Sequence, residues 1–103
     1  MNDLEMIKAF AKLEGAVATN IIESPDGVEV RFNRNGFLPY NPITDLALNC
    51  AARDKYKVTI EYSKSPFCSI GIGTECIYVD IEDESKVSFD VIECILKSEG
   101  LWK

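Results

Sequence analysis

The sequence predicts an α+β fold: an antiparallel sheet of about five strands with three helices packed on it, in the order αββαβββα. Three observations carry this. Apolar residues recur at helical spacing in three separated stretches. Between those stretches they alternate with polar residues. Turn signals such as Ser24-Pro25-Asp26-Gly27 and Gly71-Ile72-Gly73 separate the alternating runs. With 103 residues, 47% of them hydrophobic, and no linker, repeat or low-complexity segment, one domain covering residues 1–103 is expected.

The elements follow in order. Asn2 and Glu5 stand as N-cap and reciprocal N3 partner; Leu4, Ile7, Phe10, Ala11 and Glu14 then recur at helical spacing until Gly15 stops a helix over residues 3–14. The β-branched run Ala16–Glu23, the proline-glycine turn, and the alternation of Val28, Val30 and Phe32 with Glu29, Arg31 and Asn33 predict a hairpin with one wet face. Asn35-Gly36 is a second turn signal, followed by a brief extended piece from Phe37 to Tyr40.

Asn41-Pro42 reads as an N-cap with proline at the first helical position, and Ile43, Leu46, Ala47, Cys50 and Ala51 form an amphipathic stripe behind it. Leu46 and Cys50 are therefore expected in the core, where Leu46→Ala would cost about 2 to 5 kcal/mol. Arg53, Lys55 and Lys57 place positive charge at the negative end of this helix. Val58–Ser63, Phe67–Ile72 and Glu75–Glu82 then predict a three-stranded meander, and a three-residue turn over 71–73 would set Cys68 opposite Cys76. The last helix follows Ser85 or Ser88, carries Phe89, Ile92, Ile95 and Leu96 on one face, and stops at Gly100.

The chemistry the chain can support is narrow. It has no histidine, which excludes Ser-His-Asp triads and His-containing zinc sites. Cys50, Cys68, Cys76 and Cys94 are spaced 18, 8 and 18 apart without a Cys-x-x-Cys pair, so they read as reduced packing thiols, and neither metal nor cofactor is expected. Ile70-Gly71-Ile72-Gly73-Thr74 lacks the third glycine of a dinucleotide fingerprint and the Gly-Lys-Ser/Thr of a P-loop, which leaves a hairpin turn. No apolar run approaches the roughly 18 to 20 residues of a membrane span, and Met1–Glu14 has no signal-peptide core, so a cytoplasmic protein with no membrane partner is expected.

Charge is the most informative feature. Of 17 acids and 11 bases, residues 75–103 hold 8 acids and 3 bases, which puts nearly all of the net charge of −6 in the C-terminal quarter. Asp80, Glu82, Asp83 and Glu84 crowd the end of the last strand at a spacing that matches no EF-hand. Such a face repels nucleic acid and attracts basic surfaces, and it also suits a solvated loop ahead of a helix N-terminus. Trp102, just beyond Gly100, either folds back on the last helical turn or serves as an anchor for a partner.

The segment Tyr40-Asn41-Pro42-Ile43-Thr44-Asp45-Leu46-Ala47-Leu48, followed by Arg53-Asp54-Lys55-Tyr56-Lys57-Val58, resembles small bacteriophage proteins of the phage ABA-sandwich type. Those have a Tyr-Asn-Pro-Leu-Thr-Asp-like entry to a helix that ends near Lys-Tyr before a strand. Asp3–Gly15 and Phe89–Leu96 look like their terminal helices. A tryptophan often sits in the strands after the family's central helix, whereas the tryptophan here is Trp102. The resemblance implies a phage or prophage accessory protein in a bacterial cytoplasm and carries over no active site.

Two function classes lead, ahead of a third, a metal-dependent hydrolase resting on the carboxylates Asp80, Glu82 and Asp83. The first is a non-catalytic protein that binds a host protein with a basic surface, such as a counter-defence inhibitor, through Asp80, Glu82, Asp83, Glu84 and Trp102. The second is an oligomeric small-molecule or nucleotide binder with Arg31, Arg34, Arg53 and Lys57 as phosphate contacts.

Overall fold

The computed structural model describes residues 1–33, 36–71 and 75–102; Arg34, Asn35 and residues 72–74 of the glycine turn, with the expectations that fall on them, lie outside the described residues. In chain order the elements are α1 (Asp3–Leu13), β1 (Ile21–Ser24), β2 (Gly27–Val30), β3 (Leu38–Pro39), α2 (Leu46–Lys55), β4 (Thr59–Glu61), β5 (Phe67–Ile70), β6 (Ile77–Asp80) and α3 (Val87–Ser98), with short 3₁₀ turns ahead of β1 and α3. The class is α+β, but the strands form two antiparallel three-stranded sheets, β1-β2-β3 and β4-β5-β6, not one sheet of about five. The reason lies in connectivity. Within each triplet short links let sequence neighbours pair, whereas α2 separates β3 from β4. The brief piece after Phe37 is the additional strand, and it is short because Pro39 offers no backbone N–H to a ladder. The chain forms two compact units, residues 1–41 and 42–103.

In the first unit the Asn2 side chain accepts the Glu5 N–H at 2.8 Å and Glu5 accepts the Asn2 N–H at 3.4 Å, the expected capping box. Met6, Ile7, Phe10 and Ala11 are buried, and α1 packs on β2, whose Val28 and Val30 face inward. Register is fixed by Ile21 opposite Val30 and Ser24 opposite Gly27, a two-residue turn over Pro25-Asp26. Lys8 and Glu23 form an ion pair, and Tyr40 is buried with its ring 5.3 Å from that of Phe32.

In the second unit α3 packs on β5 and β6, and α2 packs on α3. Val91, Ile92, Cys94, Ile95 and Leu96 are fully buried, and Cys68 and Val79 meet them from the sheet. The central helix differs from expectation. It begins at Leu46, capped by the Asp45 side chain accepting the Leu48 N–H at 3.3 Å, and not at Asn41-Pro42. The Pro42 carbonyl is taken up by the buried Asn49 side chain, whose amide donates to it at 2.8 Å and to the Ser88 carbonyl at 3.0 Å. That bridge turns the helix so that Asn49 and Ala52 face inward, while Leu46 is 70% exposed and Ala47, Cys50 and Ala51 are exposed with it. Leu46 and Cys50 are surface residues, contrary to the stripe read from the sequence.

Cys68 is also displaced from its expected partner. Ile70 pairs with Ile77 and Cys68 with Val79, so Cys76 does not lie opposite Cys68. The neighbour of Cys68 is Cys94 on α3. Their side-chain hydrogen bond, together with burial, pushes the Cys68 thiol well above its ordinary range, which keeps it neutral and unreactive.

All three helices end the same way. In each, the residue two beyond the cap donates its N–H to a carbonyl of the last turn: Ala16 to Ala11 at 3.0 Å, Val58 to Arg53 at 2.9 Å and Leu101 to Leu96 at 2.8 Å. This Schellman geometry needs a left-handed residue just after the cap. Gly15 and Gly100 supply it in α1 and α3, but Lys57 supplies it after α2 at φ 56°. Chemical denaturation of three variants checks these placements. Asn49→Ala should cost about 1 to 3 kcal/mol by removing the buried amide that joins the Pro42 and Ser88 carbonyls, whereas Leu46→Ala should stay within about 0.5 kcal/mol. Lys57→Gly should stabilise the fold by about 1 kcal/mol, because the left-handed region is strained for a residue with a Cβ; a destabilised Lys57→Gly would contradict this account of the turn.

Candidate functional site

The acidic residues singled out in the sequence collect around one groove of about 460 Å³ in the second unit. One wall is β6, with Tyr78, Val79 and Asp80; the other is the first part of α3, with Phe89, Asp90, Glu93 and Lys97; Glu82, Asp83 and Lys86 close one end. Lys86, Phe89, Asp90, Glu93 and Lys97 recur at helical spacing, so they share one face of α3 and its approach. An adjoining depression is lined by Lys64, Ser65, Pro66, Asp80, Ile81, Glu82 and Glu84. Asp80 and Glu82 belong to both.

Local sequence explains each placement. Asp83 caps the 3₁₀ turn ahead of α3, accepting the Ser85 N–H at 3.0 Å and the Ser85 hydroxyl at 2.8 Å, and these bonds hold its carboxyl below the usual carboxylate range. Glu93 is paired with Lys97 at 3.0 Å, one helical turn on. Asp90 is different. It is only 8% exposed, lines the groove, and has no hydrogen bond or ion pair to its carboxylate among the described residues. Burial pushes its carboxyl up to about 6, with Glu93 and Glu82 adding to the shift and Lys86 opposing it.

Of the sequence-predicted partner residues, Asp80, Glu82 and Asp83 line this groove and Glu84 lines the adjoining depression. Trp102 folds back: its ring meets Phe89 edge-on at 6.5 Å, and the Lys97 ammonium lies 5.5 Å from its centroid. It backs the groove through Phe89 and Lys97. Asp90, Glu93 and Tyr78 were not singled out in the sequence. The signal for Asp90 was present, since it is a carboxylate at position 90 within the apolar run Phe89 to Leu96.

The alternative phosphate contacts fall elsewhere. Arg31 belongs to the first unit, where its guanidinium donates to the Asn20 side chain at 3.3 Å and lies 5.4 Å from the Phe37 centroid. Arg53 is half-buried in the last turn of α2, and Lys57 is exposed just beyond it. Among the described residues no three Cys, Asp or Glu side chains converge in a way that could hold a metal ion, so the carboxylates of the groove are not focused on one point. No helix of the described residues is long and apolar enough to cross a membrane.

Comparison of the chain with protein-family models, with curated proteins and with solved structures returned no match.

The groove makes a prediction about stability. A carboxyl whose folded pKa lies above its unfolded value favours folding when protonated. Its penalty therefore grows as pH rises from about 4 to about 6 and is constant above that. Asp90→Asn should raise the melting temperature at pH 7.5, by an amount corresponding to about 1 to 3 kcal/mol, and the gain should shrink on titration below pH 6 and vanish near pH 4. A destabilised Asn variant at neutral pH would show that the carboxylate has a stabilising partner.

Proposed function

We propose that this is a non-catalytic binding protein whose acidic groove receives a lysine or arginine side chain of a partner. The observation that carries the reading is Asp90. A carboxylate on a largely buried residue, with no ion-pair partner among the described residues and open to a groove, raises the energy of the free protein, and a cation placed beside it removes that cost. Around it, Asp80, Glu82, Asp83 and Glu93 supply a field of one sign that speeds the encounter, while Tyr78 and Phe89 in the same lining offer apolar surface to the aliphatic stem. The exposed rim of Glu82, Asp83 and Glu84 contributes mainly to association rate, and the half-enclosed Asp90 to residence time.

The reading extends to a phage-type accessory protein that occupies a basic surface of a host protein in a bacterial cytoplasm, as a counter-defence inhibitor would. Its support is the sequence resemblance of Tyr40–Leu48 and Arg53–Val58 together with the charge of the C-terminal quarter.

The test is calorimetric titration with pentalysine at two salt concentrations. Binding should tighten as pH rises through about 6, because the cation binds the ionised form of Asp90. Asp90→Asn should weaken it about five-fold or more at pH 7.5. Glu82→Lys, Asp83→Lys and Glu84→Lys combined should slow association sharply at low salt, with folding nearly intact. Binding that depends on salt but not on Asp90 would reduce the groove to a solvated acidic face.

A further inference from the structure

The groove is bordered by a sheet edge, and the register of β6 shows which of its backbone groups face outward. The Ile81 N–H donates to the Pro66 carbonyl at 2.8 Å, Val79 lies opposite Cys68, and Ile77 lies opposite Ile70. In an antiparallel ladder these alternate residues spend their N–H and C=O groups on the neighbouring strand. The N–H and C=O groups of Tyr78 and Asp80 therefore point away from β5, to the side on which β6 has no neighbour in its sheet. Both residues are exposed and both line the groove.

We propose that β6 is a docking edge, to which an extended, lysine- or arginine-bearing segment of a partner adds as a fourth strand with its basic side chains over the groove. The proposal rests on the reading of the groove as a cation site and adds how the partner's backbone is held. An added strand lies about 4.8 Å from β6 and presents every second side chain to the α3 side, where Asp90 and Glu93 line the opposite wall.

Two features distinguish β6 from an edge that is merely guarded. Edge strands are blunted by lysine, proline or a bulge; β3 carries Pro39 in this way, whereas Ile77-Tyr78-Val79-Asp80 has neither lysine nor proline. A single carboxylate at Asp80 would suffice as a guard, but the largely buried Asp90 across the groove, which has no ion-pair partner among the described residues, serves no such purpose. Charge also selects the occupant. A second copy of β6 would bring its own Asp80, Glu82 and Asp83 to the same edge, and like charges on paired strands repel; a basic segment reverses that sign.

The test uses the full chain, a capped heptapeptide alternating lysine with valine, and the same peptide with every backbone nitrogen methylated, which keeps its charge but removes its N–H donors. Amide hydrogen exchange is followed by NMR. The first peptide should slow exchange at Tyr78 and Asp80 about ten-fold or more, and the methylated peptide should bind at least about ten-fold more weakly. Equal affinity of the two peptides without protection at Tyr78 and Asp80 overturns strand addition while leaving the cation groove in place. Failure of both peptides and of pentalysine to bind overturns both readings. Protection of Tyr78 and Asp80 in a peptide-free dimer also overturns the proposal, since the edge is then occupied by a second copy.

Discussion

The need to keep α3 dry governs the unit formed by residues 42–103. Val91, Ile92, Cys94, Ile95 and Leu96 cover more than one stripe of that helix, so a single sheet face does not cover them. β5 and β6 take one side and α2 packs against the helix as well. The Asn49 amide, held between the Pro42 and Ser88 carbonyls, sets the rotation and position of α2 in that packing. Burying one polar side chain is acceptable here because its donors are used on two carbonyls.

The same constraint produces the site. A helix buried over so much of its surface carries its polar positions close to the boundary between core and water, and Asp90 falls on that boundary. It sits one residue ahead of Val91, largely withdrawn from water and close to Glu82 and Glu93, whose like charges outweigh the help of Lys86. The fold tolerates the carboxylate at a cost in stability. Groups held in such a state are characteristic of surfaces that meet a ligand, because the ligand's arrival relieves what folding could not.

How much of this was legible in the sequence differs by element. The capping box of α1, the Pro25-Asp26 turn and the glycine stops at Gly15 and Gly100 depend on contacts within a few residues, and local spacing is enough to find them. The face and start of α2 were misread because Asn49 overrides the apolar stripe through bonds to residues 7 and 39 positions away, and periodicity does not register these. Strand count and pairing differed for a related reason: alternation marks strands, but which strands share a ladder depends on the connections between them. The acidic wall was visible as composition. The partner wall was not, since it required knowing that α3 lies along β6 and so brings Asp90 and Glu93 to the same groove as Asp80.

The fold-back of Trp102 has a spectroscopic consequence. It is the single tryptophan of the chain, its ring rests edge-on against Phe89, and the Lys97 ammonium lies near its face. Phe89 and Lys97 are also groove residues. The indole thus sits behind the wall that a bound cation would press on, where a shift of a positive charge near the ring changes its emission. The protein carries an intrinsic fluorophore placed beside its acidic groove, with no second indole to blur the signal.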